Sequence, residues 1–234
     1  MPDLLVISLL TLTAGLAIPM GALLGEKFNK TINPSWNHMI IAFGGGTLLA
    51  AVSLVLVPEG ISNLTIIQSC FWIVLGAIAF LYIDVYLAKI NTRASQLVAM
   101  LADFIPESLA LGSIFLIHKE SAILLTLLIT FQNLPEGFNA FIEVQETTKI
   151  NAKRVITVFF IFALFGPLCA FIGYYWLSEV PEVIGAIMLF ASGGILYSIF
   201  QDIAPKIPLK NSWSPPLGAI IGFVTGLIGF MSIN

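Results

Sequence analysis

The sequence predicts an all-α integral membrane protein with eight transmembrane helices in a 3+2+3 inverted-repeat bundle. Three observations predict this. Of the 234 residues, 58% are hydrophobic and only 10% are charged, and the mean hydropathy is +0.99. A soluble domain carries about 25% charged residues. Apolar stretches recur at roughly 4–25, 38–58, 70–89, 96–117, 121–142, 154–177, 182–204 and 215–232, each near the ~20 residues that span a bilayer as helix. No alternating barrel strands are visible, so helices are the spanning structure. Finally, the basic residues fall in alternate loops.

That alternation fixes the topology. Lys27 and Lys30 follow the first segment, Lys89 and Arg93 the third, Lys149, Lys153 and Arg154 the fifth, and Lys206 and Lys210 the seventh. Only Lys119, of ten Lys and Arg, lies on the other side. The positive-inside rule puts the four basic loops in the cytoplasm and both termini outside a cell membrane. The N-terminus, with Asp3 and no basic residue before the apolar stretch, does not read as a cleaved signal peptide. Membrane lipid is the expected surrounding, a homodimer is allowed, and no nucleic-acid partner is expected. Cys70 and Cys169, far apart, give no disulfide framework and read as buried inert thiols.

The second and seventh segments are alike. One reads AFGGGTLLAAVSLVLVPEG and the other LFASGGILYSIFQDIAPK, each opening on Phe and small residues and closing on a Pro beside a charge. By the loop charges they run in opposite directions, as in inverted-topology repeats of transporters. The whole chain, 1–234, is then one transmembrane domain, with repeats at about 1–90 and 153–234 and a central helix pair at about 96–142. In the eighth segment Gly218, Gly222, Gly226 and Gly229 line one face, which suits close helix packing.

The central pair carries the chemistry. Asp103 and Glu107 lie four residues apart in DFIPES, and Gln132 and Glu136 do so in QNLPEG. Residues four apart share a helix face. A charge at the bilayer centre costs at least ~2.5–3.5 kcal/mol on insertion scales, and such residues are paired or functional. Pro106 and Pro135 each free the carbonyl four residues earlier, of Ala102 and Phe131. Three carboxylates packed together repel and call for protons or a cation. A divalent ion would leave a formal charge of about −1. Oxygen donors without Cys or His suit Mn²⁺, Mg²⁺ or Ca²⁺, with Fe²⁺ and Zn²⁺ also compatible. The alternative is a set of protonated or hydrogen-bonded acids that staple two helices.

These residues resemble a known family. DFIPESLALG and QNLPEG look like the metal-binding fourth and fifth helices of the ZIP (Zrt/Irt-like) divalent-metal transporters. GGGTLLAAVSLVLVPEG, LGAIAFLYIDVYLAK and ASGGILYSIFQDIAPK are similar to the family's second, third and seventh helices, in order along nearly the whole chain. The resemblance implies eight helices, external termini, a 3+2+3 arrangement and uptake of zinc, iron or manganese toward the cytoplasm. It implies a primary metal site on Asp103, Glu107, Gln132 and Glu136, and gives Asn133 the position of a ligand to a second, adjacent ion. The chain departs from the pattern where Asp103 replaces a usual His, Phe104 a usual Asn, and Gly166 a frequent Glu. One ion rather than two is therefore expected, with a preference shifted toward harder ions. The metal is the transported substrate, and no resident cofactor is expected.

The remaining polar residues read as follows. Asp202, with Gln201, reads as a solvated helix end that could receive departing metal, Glu59 as an interfacial charge, and Asp84 as a structural residue pairing with Lys89 or a polar neighbour. Ser108 and Asn139 could line the path. His38 and His118 fall on opposite sides and cannot share one ion, so both read as interface histidines. Trp36, Trp72, Trp176 and Trp213 fall near segment boundaries, like an aromatic belt. The chain does not read as an enzyme: no nucleophile motif, His-Glu-x-x-His helix or Gly-x-Gly-Asp step supports an intramembrane hydrolase. The other alternative is a transport-inactive metal sensor or partner subunit.

Overall fold

A computed structural model describes residues 2–28, 31–89, 95–177 and 179–233. Lys30 and Arg93, two of the loop charges, lie outside the described residues. The described residues are mostly helical and contain no strand, only an isolated bridge between Leu209 and Ser212 beside Asn211 at φ 65°.

The helical rods follow the apolar segments: α1 Pro2–Phe28, α2 Pro34–Ile61, α3 Ile66–Lys89, α4 Ser95–Ile114, α5 Lys119–Thr147, α6 Ala152–Leu177, α7 Pro181–Lys206 and α8 Leu217–Ile233. Five of them, α1, α2, α3, α6 and α7, are long and apolar enough to cross a bilayer. The molecule is thus an all-α, membrane-embedded protein. Helix α8 is apolar but shorter. Helix α5 has length to spare at 29 residues, and its hydropathy is lowered by Gln132, Asn133, Glu136 and Asn139.

Helices α2 and α7 have matching construction. In α2 an α-helical run Pro34–Ala51 passes into a π turn, Val52–Leu56, and then a short turn containing Pro58. In α7 the run Pro181–Ser198 passes into a π turn, Ile199–Ile203, and a turn containing Pro205. Proline has no N–H for the preceding turn, so the ladder there must widen or break, and a π turn is one solution. Each feature of α2 recurs in α7 147 residues later.

Packing pairs the rods α1 with α5, α2 with α8, α3 with α7 and α4 with α6, while α4 and α5 cross at the centre. Glycines set the close approaches. A Cβ on Gly46 of α2 would strike the Ala219 carbonyl of α8, and one on Gly222 would strike Phe43 in return. The α3–α7 contact is built the same way, from Gly193 against Ile73 and Gly76 against Phe190. Small residues of this kind let apolar helices associate where no hydrophobic drive separates helix from lipid. The core runs through α1, α2, α4, α5 and α7, with Ile18, Leu48, Leu111, Leu125 and Ile129 fully enclosed.

Helix α3 is the peripheral rod: only 17% of its apolar window is buried, and Phe71, Val74, Ile78 and Tyr82 face outward. Cys70 lies on that face and is exposed, contrary to the expectation of a buried thiol, whereas Cys169 is buried. An apolar rod gives no sequence signal for which side faces the bundle.

Candidate functional site

Helices α4 and α5 run unbroken through Pro106 and Pro135, which keeps Asp103 and Glu107 one turn apart, and Gln132 and Glu136 likewise. All are withdrawn from the surface: Asp103 is 5% exposed, Glu107 and Gln132 0%, Asn133 1%, and Glu136 is half-buried.

Two contacts orient the amides. Gln132 Nε2 donates to both oxygens of Glu107, at 2.7 and 2.8 Å, joining α5 to α4. Asn133 Nδ2 donates to the Ala14 carbonyl of α1 at 2.9 Å. A carboxylate and a carbonyl accept but cannot donate, so each amide must give its NH2 end and keep its oxygen free. Gln132 Oε1 and Asn133 Oδ1 are indeed buried without a hydrogen-bond partner, as are Asp103 Oδ1, Glu136 Oε2 and Ser108 Oγ. Buried polar atoms are otherwise almost always paired. Four acceptor-only oxygens left without donors on two crossing helices are the donor set a hard cation satisfies.

The sequence-predicted residues form two pairs rather than one closed shell. Glu107 and Gln132 bind each other directly and are fully enclosed. Asp103 and Glu136 face a cavity of about 370 Å³, which neither Glu107 nor Gln132 lines. Asn133 is turned toward α1. Among the described residues no group of three or more His, Cys, Asp or Glu side chains is gathered closely enough to hold a metal ion.

The cavity also recruits residues the sequence reading assigned elsewhere. Asp84 lines it from α3 and Asn37 from α2, and Asp84 Oδ2 and Asn37 Oδ1 are both buried without a partner. Asp84 makes no ion pair with Lys89 among the described residues; it pairs instead with a polar neighbour, accepting a hydrogen bond from the Tyr197 hydroxyl, and it also lines the acidic wall. Asp202, half-buried at the end of α7, also lines that wall, and so does Asn139. Six carboxylates, of Asp84, Asp103, Glu136, Glu143, Glu146 and Asp202, line this space with one cation, Lys206. A cleft of one sign with apolar walls concentrates counter-ions. Asp84 had one usable signal, a charge inside an apolar run; Asn37 had none.

At the opposite end, Glu59 accepts a 2.6 Å hydrogen bond from Ser121 Oγ and lies 3.9 Å from His118 Nε2. It is a bridging residue, not a free interfacial charge. The pocket there is about 30 Å³, room for about one water. His38 Nδ1 meets the Ile207 carbonyl at 3.3 Å and takes no part in either cavity.

Beside Asn133, the Phe104 ring fills the space between α1 and α6. It is 1% exposed, and a Cβ on Gly166 or Gly15 would come within 2.9 or 3.1 Å of its Cζ. A carboxylate side chain at 166 would have no room beside this ring.

Compared with family models and with curated proteins, the chain matches none.

Proposed function

We propose that the chain carries a divalent metal cation across a cell membrane through the α4–α5 crossing, as a ZIP-like transporter. The observation that carries this reading is the pair of donor-less oxygens on Asp103 and Glu136, which line an acid-walled cavity, with those of Gln132 and Asn133 buried outside it on α5. On this reading all eight rods span, both termini lie outside, and the cavity opens to the cytoplasm, where the basic loops fall. The matched construction of α2 and α7, and the paired α2–α8 and α3–α7 contacts, support a 3+2+3 inverted repeat.

Mechanistically, the arriving ion exchanges water for oxygen ligands. Asp103 and Glu136 supply charge at the cavity, and rotation of Gln132 off Glu107 would free that carboxylate to join them. Phe104 and Gly166 leave space for one ion. An all-oxygen set favours harder ions such as Mn²⁺ over strongly thiolate- or imidazole-seeking ions.

The test is tracer uptake into sealed vesicles with Zn²⁺, Fe²⁺, Mn²⁺, Cd²⁺ and Mg²⁺ as competitors. Glu107→Ala and Glu136→Ala should abolish uptake while the protein remains in the membrane. Uptake at the parent rate in both variants would refute the site. A metal sensor without flux is the second reading, favoured by the enclosure of Glu107 and Gln132 away from the cavity. Metal binding without flux would select it.

A further inference from the structure

Three helices line both the small pocket and the large cavity. Helix α2 gives Glu59 to the first and Asn37 to the second, α4 gives Ile114 and Asp103, and α7 gives Met188 and Asp202. The two spaces therefore lie toward opposite ends of the same three rods, with the enclosed Glu107 between them. Ile114 stands seven residues beyond Glu107, two turns along one face of α4, and Leu111 between them is buried. The small pocket is the far end of that line, and its lining of Ile114, Ile184 and Met188 is buried.

Two units meet over this pocket. The last turn of α2 belongs with α7: a Cβ on Gly185 would strike the Gly60 carbonyl, and one on Gly60 the Leu189 side chain. The start of α5 belongs with α1: Lys119 pairs with Asp3 at 3.1 Å, and a Cβ on Gly21 or Gly137 would strike the carbonyl of Leu134 or Ile18 on the facing helix. Glu59 reaches from the first unit to the second. Its Oε1 accepts the Ser121 hydroxyl at 2.6 Å, and its Oε2 lies 3.9 Å from His118 Nε2. Glu59 follows directly on Pro58 and the π turn Val52–Leu56, where the helical ladder is irregular, as it is at many hinges.

We propose that the Glu59–Ser121 hydrogen bond is the clasp of a gate over the small pocket. While it holds, the edge of α2 and α7 stays shut against the start of α5; its release opens the line toward Glu107. The purpose of the gate, admission of the ion from the side opposite the large cavity, rests on the carrier reading. The contact suits a clasp. A hydrogen bond to a charged acceptor is strong enough to hold two helix ends together, yet the Glu59 side chain is 21% exposed, so water can take the place of the hydroxyl when the bond opens.

The test reads the width of the pocket, not flux. Met188, which lines it, is changed to Cys in a background lacking Cys70 and Cys169. Its labelling by a small membrane-impermeant methanethiosulfonate is timed in vesicles exposing the Glu59 end. The parent background should label slowly, since the pocket has room for about one water. Ser121→Ala and Glu59→Gln should each speed labelling about five- to tenfold, the span of a partly exposed hydrogen bond to a charged group. Ser121→Thr keeps the hydroxyl and should keep the parent rate. The double variant of Glu59→Gln with Ser121→Ala should be no faster than the faster single one, because both remove one shared contact. Lys119→Gln breaks the Asp3 pair within the second unit and should leave the rate unchanged, which separates release of the clasp from general loosening of this end. Fast labelling of the parent, no acceleration in Ser121→Ala and Glu59→Gln, an additive double variant, or equal acceleration by Ser121→Thr or Lys119→Gln would overturn the clasp. If labelling responds as expected in a protein that moves no metal, the clasp stands and the carrier reading falls. Metal flux with unresponsive labelling sinks the clasp alone.

Discussion

Gln132 gives its amide hydrogens to both oxygens of Glu107, at 2.7 and 2.8 Å, across the crossing of α4 and α5. This contact fixes two properties at once. It satisfies a carboxylate that no water reaches, and it turns the Gln132 carbonyl toward an unpartnered position. The pair is a structural tie, and on the carrier reading it would also hold a carboxylate in reserve for the ion.

Breaking the tie has a definite cost. Gln132→Leu leaves the Glu107 carboxylate buried without a donor, and losing the partner of a buried charged group costs about 1–3 kcal/mol or more. Thermal unfolding in detergent should show Gln132→Leu well below the parent. Glu107→Gln with Gln132 intact keeps an amide–amide hydrogen bond and should lose less. Equal stability of Gln132→Leu and parent would mean that the carboxylate finds another donor.

Metal should stabilise the folded protein through linkage, by about 2.7 kcal/mol at a hundredfold excess over Kd. Mn²⁺ should therefore raise the thermal midpoint of the parent. Asp103→Asn and Glu136→Gln should lose that rise without falling in stability when metal-free, since each removes a like charge from the acidic wall. A full Mn²⁺ response in Asp103→Asn would take Asp103 out of the site.

Protons and metal compete for the same oxygens, so affinity falls as pH falls. Each carboxylate proton displaced on binding weakens metal affinity by about tenfold per pH unit, below the pH at which that group is ionised. Isothermal titration across the acidic range should give a Kd that rises toward low pH with proton release. In Glu136→Gln the slope should flatten by about one proton if that carboxylate gives up a proton to the metal. A pH-independent Kd would point to neutral donors alone.

The helices were readable from hydropathy because every span satisfies its own backbone and needs about twenty apolar residues. The pairing of Asp103 with Glu107, and of Gln132 with Glu136, was readable from four-residue spacing. The split of these four into an enclosed pair and a cavity pair was not, because it depends on where α4 crosses α5. Asp84, Asn37 and Lys206 escaped for the same reason. They join the site from α3, α2 and α7, and nothing local marks a long-range neighbour. The exposure of Cys70 is not legible in the sequence because α3 is apolar on all sides.

The ring of Phe104 and the bare backbone of Gly166 form one fitted unit. Gly166→Val should clash both with the Thr11 carbonyl and with the ring, since even a Cβ would stand 2.8 and 2.9 Å from them, and overpacking costs about 1–3 kcal/mol; only the ring's share is relieved by Phe104→Leu. Phe104→Leu alone should destabilise by emptying that volume. Residues in contact are not additive, so the double variant should be more stable than the two single losses predict. Additive losses would show that the two side chains do not share the space.

Gly193 and Gly76 set the contact between α7 and α3. A Cβ at Gly193 would strike the Ile73 carbonyl, and one at Gly76 the Phe190 carbonyl, so neither helix can yield without sliding. Gly193→Leu should force α3 away from α7 and lower folded yield in detergent far more than Val74→Leu, a small apolar change on the exposed face of α3. Gly46→Leu, which meets the Ala219 carbonyl on α8, should behave like Gly193→Leu, because the two positions have equivalent jobs in α2 and α7. Size-exclusion profiles of the three variants decide the matter. A monodisperse Gly193→Leu beside an aggregated Gly46→Leu would mean that the two contacts bear unequal load, and would count against the matched-repeat reading of α2 and α7.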